Sequence, residues 1–230
     1  YGVTTLKPGT HTHYVHVLAA PNNGGTLELP DAGYIVTRAV DLQSGSALSF
    51  EQKEGLLRIE VSSWDVCEFV GDQVIRLETD GAPRVIPRDA ISIWATVESV
   101  EHPVKHVLNE DYEVYYDAGV EAEFPVSLTI RLQTPSIVKG LKLTQPESGA
   151  VVAGTYRALE SERIQGCKVF VSTDGVEWGI PVFEGSLVNQ RGLQVIRFSD
   201  QLATHIRLEV SSNHKGTNKL QLIYLDVIGD

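Results

Sequence analysis

Apolar and polar residues alternate with a period of two along most of this chain. Leu57, Ile59 and Val61 alternate with Arg58 and Glu60, and Leu128, Ile130 and Leu132 with Thr129 and Arg131. Ile206, Leu208 and Val210 do the same with Arg207 and Glu209. Successive side chains of a β-strand point to opposite faces, so the pattern predicts half-buried antiparallel strands. Turn signals punctuate the runs at Asn23-Gly24-Gly25, Asp80-Gly81 and Asp174-Gly175. Only Tyr156–Ile164 offers a short helical candidate, of one or two turns. Many short strands roughly ten residues apart predict an all-β protein of sandwich or barrel type.

The polar, proline-bearing stretch from Thr79 to Asp89 (TDGAPRVIPRD) is the best boundary. It predicts two antiparallel β-sandwiches in tandem, residues 1–83 and residues 84–230. The length of 230 residues suits two modest cores, since domains cluster near roughly 100–150 residues. No internal repeat or low-complexity segment interrupts either part.

Charge narrows the partners. Lys and Arg number 19 against 30 Asp and Glu, a net charge of −11. Such a chain repels phosphate backbones and anionic headgroups, so neither nucleic acid nor membrane is expected as a partner. No apolar run reaches the ~18 residues of a membrane-crossing helix, and none has the layout of a secretory leader. The chain starts at Tyr1 and contains no methionine, which reads as part of a longer protein. Cys67 and Cys167 fall one in each predicted unit and read as two buried free thiols rather than a disulfide or zinc pair.

Catalytic signatures are missing. There is no G-x-S-x-G elbow, no phosphate-cradling G-x-x-x-x-G-K, no G-x-G-x-x-G and no H-E-x-x-H. A (β/α) barrel needs about 250 residues of alternating strands and helices, and nothing singles out a carboxylate pair for glycoside hydrolysis. His11 and His13 would share a strand face, with His16 nearby. That spacing offers two zinc ligands without an evident third, so an exposed polar strand end is the favoured reading.

Two resemblances give these strands a context. Tyr1-Gly2, Tyr14-Val15-His16-Val17, Pro21, Leu27-Glu28-Leu29-Pro30, Leu42-Gln43-Ser44-Gly45 and Val74-Ile75-Arg76-Leu77 follow one another in order. In that order residues 1–83 resemble the C-terminal β-sandwich of family 29 glycoside hydrolases, the α-L-fucosidases. Ser127–Pro146, Glu162–Gly185, Ala203–Val210 and Leu222–Gly229 resemble the discoidin, or coagulation factor type C, domain, which includes the family 32 carbohydrate-binding modules. Within them, Ser172-Thr173-Asp174-Gly175 followed by Trp178-Gly179 is the most specific piece. It reads as a hairpin turned at Asp174-Gly175 with Trp178 in the core.

The resemblances imply a galactose-binding-like jelly roll for the second unit. They also imply a non-catalytic role as the C-terminal part of a secreted or periplasmic α-L-fucosidase. The chain would support the absent catalytic barrel and bind galactose- or fucose-bearing glycans. An adhesin module without enzyme activity and a structural spacer remain open. A sugar site on the end loops needs an aromatic face and charged or amide groups, which selects Tyr116, Arg157, His214 and Asn218. Tyr116 equally fits the core position where the family keeps a Trp. No cofactor is required, but a structural calcium is possible. The resemblance places calcium in the segment Val107–Gly119, where Asn109 and Asp111 offer oxygen ligands. Tyr224 stands where the family usually has an acidic residue.

Overall fold

The computed structural model describes residues 2–6, 10–18, 25–30, 34–53, 56–61, 64, 72–81, 85–109, 111, 113–119, 122–146, 149–152, 155–158, 162–189 and 192–229. The chain divides into two compact units, Tyr1–Pro83 and Arg84–Asp230. Among the described residues no helix is long and apolar enough to cross a membrane.

The first unit contains β1 (Gly2–Leu6), β2 (Thr12–Val17), β3 (Thr26–Pro30), β4 (Val36–Asp41), β5 (Ala47–Leu48), β6 (Phe50–Lys53), β7 (Leu56–Glu60) and β8 (Gln73–Thr79). These form two antiparallel sheets, ordered β1-β2-β8-β4-β5 and β3-β7-β6. Alternation decides the inner faces: Val15 and Val17 of β2 and Ile75 and Leu77 of β8 are buried, and they meet Leu27, Leu57 and Ile59 of the other sheet in one core. Burying each such side chain stabilises by roughly 1.5–3 kcal/mol. Leu42-Gln43-Ser44-Gly45 turns the β4–β5 hairpin. Asp41 accepts from the Gln43 N–H at 3.0 Å and the Ser44 hydroxyl at 2.8 Å, and Gly45 supplies the positive φ of 72°.

The second unit contains β9 (Ile91–Ala95), β10 (Tyr116–Asp117), β11 (Val126–Thr144), β12 (Gly149–Val152), β13 (Thr155–Ala158), β14 (Gly166–Ser172), β15 (Phe183–Ser186), β16 (Gln194–Val210), β17 (Gln221–Leu222) and β18 (Tyr224–Gly229). Its main antiparallel sheet runs β15-β14-β16-β11-β18, with β9 also on β11, and β10-β17 and β12-β13 form two-stranded ribbons. The nineteen-residue β11 pairs with β16 along one edge, and its other edge serves β9 along Leu128–Leu132 and β18 along Val138–Thr144. The irregularity between Arg131 and Ser136 in its pairing with β16 lies between the two stretches, and a second register shift, between Val138 and Gly140, falls within the β18 pairing, where a bulge bends and twists the strand. Gly140 is required there, because a Cβ would overlap the Ile196 carbonyl oxygen.

Leu128, Ile130, Leu132, Ile206, Leu208 and Val210, the alternating apolar positions, are all buried in one cluster. Beside it, Arg88 Nε donates to Asp226 Oδ1 at 2.8 Å, and the Asp226 side chain is only 8% exposed.

Three local expectations are corrected. Residues 155–158 form a strand, not a helix, and pair back on Gly149–Val152. Trp178 does not enter the core. It packs on the outward side of the sheet, its ring 4.3 Å from the Arg207 guanidinium carbon, which also lies 4.8 Å from the Phe170 ring. Cation–π contact of this kind is worth about 0.5–1 kcal/mol, and it suits a Trp on a connection rather than on a strand. Asp174-Gly175 is a bend within the longer link from β14 to β15, not a tight hairpin.

Candidate functional site

At one end of the second unit, three segments distant in sequence are tied together. The Tyr116 hydroxyl donates to the Val97 carbonyl at 2.7 Å. The Ser99 N–H donates to the Asp117 carbonyl at 2.8 Å, and the Asp117 N–H to the His102 carbonyl at 3.0 Å. The loop after Ser212 is organised by Asn213, only 2% exposed. Its amide nitrogen donates to Thr217 Oγ1 and to the Lys219 carbonyl, both at 2.9 Å. The Ala118 N–H then donates to the Leu220 carbonyl at 3.0 Å.

Between these segments lies an open cleft of about 790 Å³. On one wall the rings of His102 and Tyr115 are stacked, centroids 4.2 Å apart and planes 16° apart. His106 meets His102 edge-on at 6.3 Å, and its Nδ1 lies 3.0 Å from the Tyr115 carbonyl. A carbonyl only accepts, so that Nδ1 carries the proton. Glu101 and Asn218 stand exposed along the same cleft, with Glu98 and Asp117 beside them. This combination offers a flat apolar face next to hydrogen-bonding groups of both kinds.

Of the three residues chosen from the sequence whose side chains are described, the structure brings only Asn218 to this cleft. Tyr116 is a correction: it is fully buried and offers no ring face to a ligand. Burial, reinforced by the charges of Glu98 and Asp117, pushes its hydroxyl pKa well above the ordinary 10, so it stays a donor to Val97. His214 does not line the cleft; its Nε2 donates to the Leu187 carbonyl at 2.9 Å. Arg157 sits on β13 opposite Ala150, and its side chain lies outside the described residues, as does Tyr112. Sequence reasoning placed Tyr115 on a candidate loop, Glu110–Asp117, but selected its neighbour Tyr116, and it missed His102 and Glu101. Tyr115 was within reach, because it neighbours Tyr116 and takes the opposite face.

No protein-family model matches this sequence, and no curated protein sequence matches it. Solved structures do. The chain is similar to a family 32 carbohydrate-binding module of a family 89 glycoside hydrolase from Clostridium perfringens, in complex with GalNAc-β-1,3-galactose, at 18% identity and a TM-score of 0.53. That likeness covers 63% of this chain and 99% of the other. The family 32 module of NanJ from the same organism, in complex with galactose, gives 18% identity and a TM-score of 0.51 over 62% and 96%. The C-terminal domain of a chitobiase from Bacteroides fragilis gives 15% and 0.52 over 64% and 98%. The protein carries the jelly-roll fold of these modules. At such identities the likeness establishes the fold and leaves the site to be argued from its own residues.

The metal candidates, Asn109 and Asp111, turn oxygens onto their own loop. Asn109 Oδ1 accepts from the Asp111 N–H at 3.0 Å, and Asp111 Oδ1 from the Glu113 N–H at 2.9 Å. Both side-chain oxygens thus cap their own loop. Among the described residues no three His, Cys, Asp or Glu side chains gather as metal ligands. The N-terminal histidines disperse: His13 packs on Tyr34 at 4.2 Å, and His16 Nδ1 lies 2.8 Å from Asp72 Oδ2. Cys167 is a free, buried thiol, and burial pushes its pKa up to about 12. A thiol held neutral in this way is a packing group rather than a nucleophile. Cys67 lies outside the described residues.

Proposed function

We propose that residues 84–230 act as a non-catalytic carbohydrate-binding module, with the cleft between residues 97–102, 115–119 and 217–219 as its sugar site. One observation carries the reading: the stacked Tyr115–His102 pair shares a cleft with the Asn218 amide and the Glu101 carboxylate. A pyranose has an apolar C–H face and a rim of hydroxyls. The rings receive the face, and the amide and carboxylate take the hydroxyls, the charged acceptor making the stronger bonds. The likeness to modules in complex with galactose and GalNAc-β-1,3-galactose makes galactose-bearing ends the first ligands to try.

The order of motifs in residues 1–83 supports a finer reading. The chain is the C-terminal part of a secreted or periplasmic α-L-fucosidase, and the module holds a catalytic barrel near galactose- or fucose-bearing glycans. The reading frame upstream of the Tyr1 codon tests this: a (β/α) barrel there supports it, and any other domain removes it.

The binding proposal is tested on a glycan array, followed by calorimetry. Glycans held by the protein and released by Tyr115→Ala and Asn218→Ala establish the site. A folded protein that holds none leaves the structural spacer as the reading.

A further inference from the structure

We infer that this cleft sorts saccharides by charge, preferring ends that carry a free amino group, accepting neutral ends and refusing uronic or sulfated ones. The inference rests on the carbohydrate reading above.

Among the described residues three carboxylates line the cleft, Glu98, Glu101 and Asp117, against one ammonium, Lys219. That ammonium is already matched, since Lys219 Nζ lies 3.2 Å from Glu162 Oε2. Two of the carboxylates are held in place. Glu98 Oε2 accepts from the Val104 N–H at 2.7 Å. Asp117 Oδ1 accepts from the Gly119 N–H at 2.8 Å, and its Oδ2 from Gln221 Nε2 at 2.6 Å. An incoming anion therefore meets fixed negative charge that cannot swing away.

Glu101 differs from these two. It is exposed, and its carboxylate has no hydrogen bond or ion pair among the described residues. With both oxygens open along the cleft that holds the His102–Tyr115 stack, it is the acceptor for a polar substituent on a ring seated there. An ammonium substituent makes a charge-assisted bond, a hydroxyl a weaker one, and a carboxylate none. The chain's net charge of −11 adds a long-range field of the same sign.

The test uses probes that share one ring and differ in charge: galactose, galactosamine and galacturonic acid, with glucose, glucosamine and glucuronic acid as a second series. Binding is followed by NMR titration of the Tyr115 and Asn218 signals at low salt and about pH 7, above the ordinary imidazole value of about 6.5 and below the roughly 7.7 of an amine flanked by electron-withdrawing groups, so that the amino sugar stays mostly charged. Within a series the amino sugar is expected to bind tightest and the uronic acid about tenfold or more weaker than it, a gap that Coulomb interaction at such range can supply. The gap should shrink as salt shortens the Debye length to about 10 Å at 0.1 M. Glu101→Gln should lower the amino-to-uronic affinity ratio several-fold.

A uronic acid bound as tightly as its amino counterpart overturns the inference, as does a ratio unchanged in Glu101→Gln. Equal binding of all three sugars sinks the charge preference and spares the carbohydrate reading. Binding of no sugar in either series sinks both.

Discussion

Tyr115 stacks on His102 at the cleft wall, while Tyr116, the next residue, is sealed in the core with its hydroxyl on the Val97 carbonyl. One step of backbone thus separates a residue that touches solvent from one that supports the site from behind. The Tyr116 bond holds the segment that carries Glu98, Glu101 and His102, so the core tyrosine positions the wall that the surface tyrosine completes.

Substitutions at the two tyrosines should therefore separate binding from stability. Tyr115→Ala is expected to weaken saccharide binding by about fivefold, the loss of roughly 1 kcal/mol of ring stacking, with a small change in Tm. Tyr116→Ala should cost about 3–5 kcal/mol, as for other large aromatic truncations in cores. Tyr116→Phe should cost only about 1 kcal/mol for the lost hydrogen bond. Urea denaturation and calorimetry on the same samples check both halves; equal stability losses at 115 and 116 would refute the assignment of faces.

The Arg88–Asp226 pair is the second target. With Asp226 nearly enclosed, removal of the Arg88 guanidinium leaves its carboxylate buried without that match. Arg88→Ala is expected to destabilise the second unit by roughly 3–5 kcal/mol, and the loss should persist in high salt, which screens surface pairs far more than buried ones. A cost of a few tenths would show that the pair is solvated.

Asp174 predicts a pH response. Its carboxylate accepts N–H bonds from Val176 and Glu177 and the Ser172 hydroxyl, and these, the Val176 bond first, lower its pKa below the ordinary 3.8. The folded value is depressed, so the contribution of this loop cap is present above the unfolded pKa and lost as pH falls through the folded one. An NMR titration of the carboxyl carbon should find its midpoint below 3.8, and Asp174→Asn should lose the acid-dependent part. A midpoint above 3.8 contradicts the geometry.

Calcium offers a fourth check. Because Asn109 and Asp111 each spend a side-chain oxygen on their own loop, adding calcium to chelator-treated protein is expected to leave Tm unchanged. A rise of several degrees, abolished by Asp111→Ala, would instead give the pair a ligand role.

The apolar alternation by itself determined the all-β class and the inward face of each long strand. Leu128, Ile130 and Leu132 are buried where period two puts them, and so are Ile206, Leu208 and Val210. That alternation is local, set by the backbone of one strand, and needs no knowledge of neighbours. The two-residue β10 is too short to declare a face by pattern, and only its pairing with Gln221–Leu222 sends Tyr116 inward and leaves Tyr115 at the cleft. Trp178 looked like core by size, but its place on the link after β14 left it on Arg207. The site itself joins residues near 100 to residues near 218 through hydrogen bonds between loops. The Asn213 amide shapes its own loop over a few residues, but which loops meet there depends on the register of β10 with β17, a pairing across more than a hundred residues that no local pattern encodes, so the tertiary structure alone decided the cleft.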